Sequence, residues 1–170
     1  MLSFQIKALL FTIQQSCNNT KFKFMVSPKL HIRKATEKDQ DIIYDMICDL
    51  ENKVLSRESF NFVFYQNLEQ QNICYLLAEF DGIPVGMGSC HVQPLLHHVC
   101  MVAEIQEMFV KAEYRSKEIG KALVEALVVF AKSKSALQIE VTSNNVRENA
   151  HRFYQKEGFK KSHVKLVRYF

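Results

Sequence analysis

Apolar residues recur along this chain at two spacings, every second position or every third to fourth, and the switches between them outline its elements. Residues 30–35, LHIRKA, alternate and predict a first strand. Thr36 stands three residues before Asp39, a helix-start signal close to a capping box. Ile42, Ile43, Met46, Ile47 and Leu50 follow at helical spacing. A second helix is expected over residues 58–68, with Phe60, Val63, Phe64 and Leu68 inward. Residues 73–80, ICYLLAEF, are strand formers and end at Asp81-Gly82, a hairpin turn signal, so VGMGSCHV returns as the partner strand. Residues 93–101 read as loop or strand end, and residues 102–110 and 137–142 as two further strands. Between those two, Ile119, Ala122, Leu123, Ala126, Leu127 and Phe130 form a helical face of the kind that packs on a sheet. A short helix over residues 147–156 carries Ala150, Phe153 and Tyr154 and stops at Gly158. HVKLVRYF, residues 163–170, is expected to close as a strand.

The predicted order is strand, two helices, three strands, helix, strand, helix, strand. That is an α/β fold, an α+β mixed sheet, in one domain over residues 30–170. Residues 1–24 are set apart. Their apolar core, residues 8–13, is short for a signal peptide and lacks a good cleavage pattern. They fit a weak amphipathic helix, or an upstream extension with Met25 as the alternative start.

Charge narrows the partners. The formal charge is +4, but Lys7, Lys21 and Lys23 lie in that acid-free leader. From Met25 onward 19 basic residues face 18 acidic ones, which leaves no electrostatic footprint for nucleic acid. No apolar run approaches the ~20 residues a membrane span needs. Cys17, Cys48, Cys74, Cys90 and Cys100 lack the spacing of a zinc site or a redox pair. They fit idle thiols in a reducing cytoplasm.

The chemistry starts at EYRSKEIGKALVEAL, residues 113–127. A strand ending at Val110 runs through a turn, Lys111 to Lys117, into a helix beginning near Ile119. Such a helix start offers free N–H groups and a partial positive charge, an anion site made of backbone. Arg115, Lys117 and Lys121 add charge, and there is no Gly-Lys-Ser/Thr ending of a Walker loop.

In context, MFVKAEYRSKEIGKALVEAL resembles the acetyl-CoA-binding segment of the GNAT superfamily of N-acetyltransferases. Arg115 and Gly120 match its pattern, while Ser116 and Glu118 stand where glycines are common. The second family signature is intact as Asn144, Asn149, Ala150, Phe153, Tyr154, Gly158 and Phe159. A narrower likeness, to the bacterial aminoalkylphosphonate N-acetyltransferases, lies in YDMICDLE, HVQPLLHHVCMVAEIQEMFV and NAHRFYQKEGFKKSHVKL. The resemblance implies a GNAT-type fold and acetyl-CoA as cosubstrate. Met108, Phe109, Val110, Arg115, Ser116, Lys117, Glu118, Ile119, Gly120, Lys121, Asn144, Asn149 and Phe153 are then its binding residues. Amides bind the diphosphate, so Glu118 is acceptable if its φ is negative, its side chain points outward and Lys117 or Lys121 offsets its charge.

Acetyl transfer needs a neutral amine and hence a base, a site for the developing oxyanion, and often an acid for the thiolate. Strict alternation puts Glu104, Gln106 and Met108 on one side of their strand and Ala103, Ile105, Glu107 and Phe109 on the other. A carboxylate inside an apolar strand is expensive unless used or paired. Glu104 is the candidate base, to which the resemblance also points, beside the plainer reading of a carboxylate paired to a core donor. Glu107 is second, because a bulge would exchange the faces. The resemblance assigns thiolate protonation to Tyr154; on sequence alone Phe153-Tyr154 is packing with a polar handle.

His91, His97 and His98 are candidates for an acceptor pocket, and a divalent ion held there with Glu104 stays open. No metal site is predicted. Lys165 and Arg168 could receive an anionic acceptor or form a wet strand face. The leading function is N-acetylation of a small primary amine, an aminoalkylphosphonate first, by a cytoplasmic enzyme for which a homodimer is compatible. The alternatives are a GNAT enzyme for a polyamine, aminoglycoside or protein amine, and a non-catalytic acyl-CoA-binding module.

Overall fold

The computed structural model describes residues 23–25 and 29–170, so the expectations for residues 1–22 lie outside the described residues. Strands β1 (Lys23–Met25), β2 (Leu30–Lys34), β3 (Ile73–Phe80), β4 (Ile83–Leu95), β5 (Cys100–Val110) and β6 (Ala136–Val141) form one sheet in chain order. Neighbours pair antiparallel except β5 and β6, which are parallel. A parallel pair needs a crossover, and helix α3 (Ile119–Ser133) supplies it. Helices α1 (Gln40–Glu51) and α2 (Arg57–Leu68) join β2 to β3, and α4 (Glu148–Lys156) follows β6.

Each sheet face has its own core. Ile119, Ala122, Leu123, Ala126, Leu127 and Phe130 of α3 are all buried, against Leu76, Val85, Cys90 and Ile105 on one face. Each large apolar side chain so buried contributes about 1.5–3 kcal/mol. On the other face Ile43 and Met46 of α1 and Phe64 of α2 cover Tyr75, Leu77 and Met87. Two inward expectations fail here. Ile42 and Val63 are exposed, while Tyr44 and Phe60 join the two helices with an edge-to-face ring pair at 5.2 Å.

Thr36 opens a short 3₁₀ turn, Glu37–Asp39, ahead of α1. The buried Asp39 carboxylate accepts from Thr36 N at 2.7 Å and from both guanidinium ends of Arg33 at 2.8 and 2.7 Å. Arg33 Nε also donates to Glu79 at 2.7 Å. Burial pushes the Asp39 pKa up, but the Arg33 and Thr36 hydrogen bonds win and it ends below its usual value. A lowered carboxylate pKa contributes stability that is present above the unfolded value and lost as pH falls through the folded one. Arg33→Met is therefore expected to cost about 2–3 kcal/mol in denaturant unfolding near neutral pH. The difference from the parent should shrink on acidification.

Three boundaries differ from the sequence expectation. Strand β4 continues to Leu95 and β5 starts at Cys100, leaving a four-residue turn, 96–99, that holds His97 and His98. Helix α2 starts one residue early, with Ser56 as cap, its Oγ accepting from Ser59 N at 3.3 Å. The closing strand over residues 163–170 does not form: the segment has no regular structure. Val164, Leu166, Val167, Tyr169 and Phe170 are exposed at 61–111%. Strand propensity measures fit to a half-buried surface; no sheet edge takes this run as a partner.

Two departures on β5 shape the site. Cys90 pairs with Ile105 but Gly88 with Met108, so two residues of β4 span three of β5. This bulge at Gln106–Glu107 shifts the phase of the strand. Met108 joins Ile105 on the α3 side, and Phe109 packs with the core under α1 and α2. Further on, β6 pairs β5 only as far as Ile105 opposite Val141. Residues 106–110 of β5 thus have no strand on their outer side among the described residues.

Candidate active site

The turn after β5 keeps the anion-binding form without its glycines. Ser116 and Glu118 both have left-handed backbone, φ 60° and 61°. The first intrahelical bond of α3 runs from Ala122 N to Glu118 O at 3.0 Å. The amides of residues 116–121 have no acceptor among the described residues, the opening that a helix start presents to an anion. Arg115 Nε folds back to Val110 O at 3.1 Å and ties the turn to the strand end. A Cβ on Gly120 would meet the Phe153 ring at 3.2 Å, so Gly120 is what lets α4 close on this turn.

Glu118 corrects one expectation. Its φ is positive, and the turn forms because the side chain points outward, 75% exposed, with Lys121 Nζ at 3.8 Å. Lys117 offers no offset; its ammonium lies over the Tyr114 ring at 4.8 Å. A left-handed L-residue costs roughly 1–2 kcal/mol, and glycine returns about 0.4–1 of that to the unfolded chain. Glu118→Gly is expected to raise stability by about 0.5–1 kcal/mol, read as a higher denaturation midpoint at constant slope.

Helix α4 brings the second motif to the same end. Tyr154 is 8% exposed, with its ring edge-on to Phe153 and Phe159 at 5.1 and 5.5 Å. Burial pushes its phenol up to about 12, and Arg147 opposes that rise. Asn144 Oδ1 accepts from Val146 N at 3.1 Å, and Asn149 Oδ1 from Arg152 at 2.6 Å, so both first order their own loop and helix. Arg147, which sequence reasoning passed over, donates to Leu50 O at 3.0 Å and lies 3.7 Å from Glu51. It joins the start of α4 to the end of α1.

The bulge puts the two β5 carboxylates on one sheet face, where strict alternation would separate them. Glu107 shares a face with Phe109, and its carboxylate takes a hydrogen bond from the fully buried Ser89. The Glu107 amide donates to the same Ser89 Oγ at 3.1 Å. Glu104 lies between His91 of β4 and Glu140 of β6 in the cross-strand register. It accepts from Thr142 Oγ1 at 3.0 Å, with Lys165 Nζ at 3.9 Å. His91 Nε2 is buried without a partner.

His97 and His98 stay apart from that group. Their rings lie 4.2 Å from each other on the β4–β5 turn, and His98 Nε2 approaches Gln138 Nε2 at 3.4 Å. Glu104 is four residues down the strand from Cys100, about 13 Å. Among the described residues no group of three or more His, Cys, Asp or Glu is set to hold a metal ion. A cavity of about 700 Å³ opens between Asp49 and Lys53 at the end of α1 and Phe109, Lys111 and Arg115 beyond β5. Ser89 left a signal in the sequence, a lone hydroxyl in an apolar strand, and Asp49 lies within the YDMICDLE run of the narrower likeness; Lys53 left none.

The model of the Acetyltransferase (GNAT) family matches residues 41–159. The chain belongs to this family. It is 38% identical over 143 residues to an aminoalkylphosphonate N-acetyltransferase of Salmonella typhimurium, covering 84% of this chain and 93% of that one. A probable N-acetyltransferase, camello, of Xenopus tropicalis is 29% identical over 97 residues, 57% of this chain and 43% of its own. Among solved structures, one described as a transcriptional regulator from Bacillus halodurans superposes with a TM-score of 0.76. It is 27% identical, with 83% of this chain and 99% of that one covered. The aminoglycoside N-acetyltransferase AAC(6')-Iy in complex with CoA superposes at 0.75 with 14% identity, over 91% of this chain and 99% of its own, a likeness of fold. This GNAT chain is an N-acetyltransferase, and acetyl-CoA is the family's acyl donor.

Proposed function

We propose that this enzyme transfers acetyl from acetyl-CoA to a small primary amine, an aminoalkylphosphonate first, with Glu104 as base and Tyr154 as acid. The observation that carries the donor half is the run of unpaired amides at residues 116–121, above which Gly120 admits Phe153. The 38% identity to the Salmonella enzyme, over nearly all of that protein, supports the acceptor. We place the enzyme in the cytoplasm, in keeping with the free thiols of Cys48, Cys74, Cys90 and Cys100. Among the described residues no helix is long and apolar enough to cross a membrane.

Acetyl-CoA supplies the acyl group as a thioester. The amides of residues 116–121 take the diphosphate, with Arg115 and Lys121 adding charge, and Asn144, Asn149 and Phe153 line the approach. Val110 lies about 20 Å along β5 from Glu104. The open outer edge of residues 106–110 lets an extended ligand arm cross that distance, with the Val110 amide as a donor. Lys111 N donates to Val85 O, so in this register the Phe109 amide faces β4 and Phe109 contributes its side chain only. Glu104 takes a proton from the acceptor's ammonium, directly or through a water, which frees the lone pair that attacks the carbonyl. As the C–S bond breaks, Tyr154 Oη, protonated well past neutral pH, gives its proton to the departing thiolate. The second proton that the nitrogen sheds on becoming an amide returns the phenol to its acid form.

Thiol release from acetyl-CoA against an amine panel, with and without divalent metal, tests this. Turnover of aminoalkylphosphonates ahead of polyamines and aminoglycosides is the expected result. Preference for polycations would replace the acceptor, and coenzyme binding without turnover would remove the enzymatic reading.

A further inference from the structure

We infer that Lys165 receives the anionic end of the acceptor, so that the site selects zwitterions with a negative group one or two carbons from the amine. This deepens the proposed function and rests on Glu104 as the base.

Lys165 Nζ stands 3.9 Å from Glu104 Oε1, and among the described residues no other Lys or Arg pairs with that carboxylate. The pair is asymmetric. The Glu104 side chain is 22% exposed, held by Thr142 just past the end of β6, while Lys165 is 58% exposed on the terminal segment that has no regular structure. A half-buried carboxylate stripped of its only cation is left uncompensated. A cationic acceptor alone would be driven against Lys165 as it approached Glu104. A short zwitterion meets both charges at once: its ammonium faces Glu104 and its anion faces Lys165, so each charge finds its opposite. The segment after α4 is bound to no strand, so Lys165 can give way without breaking a ladder. The buried Nε2 of His91, unpartnered, belongs to Glu104's cross-strand partner and leaves a polar contact open beside it.

Arg168, three residues on, forms no ion pair with Glu104 among the described residues and lies over the Phe170 ring at 5.7 Å, which makes it the control. The full chain is assayed with 2-aminoethylphosphonate, with propylamine as its uncharged counterpart, and with 1,3-diaminopropane. The parent is expected to prefer the phosphonate. Lys165→Met should lower the kcat/KM ratio of phosphonate to propylamine at least tenfold, mainly through KM, and Lys165→Arg should restore most of it. Arg168→Met should keep the parent ratio. Turnover of propylamine by the same preparation reports an intact fold. If Lys165→Met keeps the parent's preference, or Arg168→Met loses it equally, the role of Lys165 is overturned while the acceptor stands. A parent that acetylates 1,3-diaminopropane and not the phosphonate overturns the acceptor and this inference together.

Discussion

Glu104→Gln is expected to lower kcat/KM for the amine by about 10²–10⁴-fold, the usual worth of a positioned base. The loss should deepen as pH falls. A primary amine with a pKa near 10 is almost wholly ammonium at neutral pH, and its free-base fraction drops tenfold with each unit. The parent offsets this by removing the proton within the site; the amide cannot. Coenzyme affinity should hold, because the amides of residues 116–121 lie at the far end of β5. Glu107 provides the comparison. The bulge gives it the same face as Glu104, so position alone does not separate the two carboxylates. Their surroundings do: Glu107 is engaged by Ser89 through both its carboxylate and its amide, whereas the Glu104 carboxylate has, among the described residues, Thr142 and the exposed Lys165 beside it. Glu107→Gln is expected to cost less than tenfold in kcat/KM and to show no extra loss at low pH. If Glu107→Gln were the more damaging, the base would be Glu107 held by its serine.

What the sequence disclosed and what it withheld divide along a physical line. The apolar face of α3 was legible residue by residue, because a helix carries its pattern in its own period. So was the Thr36–Asp39 start of α1, where the groups involved lie three residues apart. The pairing of motifs was legible too: Phe153 does close on Gly120. What stayed hidden depends on a second chain segment. The bulge at Gln106–Glu107, where Ser89 bonds Glu107 across the ladder, shifts the strand's phase, so strict alternation placed Glu107, Met108 and Phe109 on the wrong faces. The left-handed backbone of Ser116 and Glu118 carries no marker when glycine is absent. Residues 163–170 have a strand's pattern and no edge to join. Ile42 and Val63 lie outside the faces that α1 and α2 bury, and Tyr44 and Phe60 meet across the helix pair instead.

Tyr154→Phe is expected to lower kcat by roughly 10²-fold while coenzyme affinity stays within about twofold. The substitution removes one oxygen and keeps the ring between Phe153 and Phe159, so packing is preserved. A phenol raised by burial to about 12 holds its proton through the working range and is a reluctant but available acid. Arg147, which pulls the other way, moderates that reluctance. In the parent, kcat should therefore show no alkaline fall from this group until well above pH 10. Stability should follow the same proton. Because the folded pKa exceeds the unfolded value near 10, the folded state gains from the protonated phenol below pH 10. That gain is lost as pH rises toward 12. Tyr154→Phe should thus unfold less steeply on the alkaline side than the parent, although Tyr75, also pushed up to about 12, leaves a residual slope. Equal kcat in the two proteins would leave Tyr154 with packing alone and assign the thiolate's proton to water. A fall in kcat with the alkaline unfolding curve unchanged would mean that the phenol acts in the reaction without the buried proton inferred here.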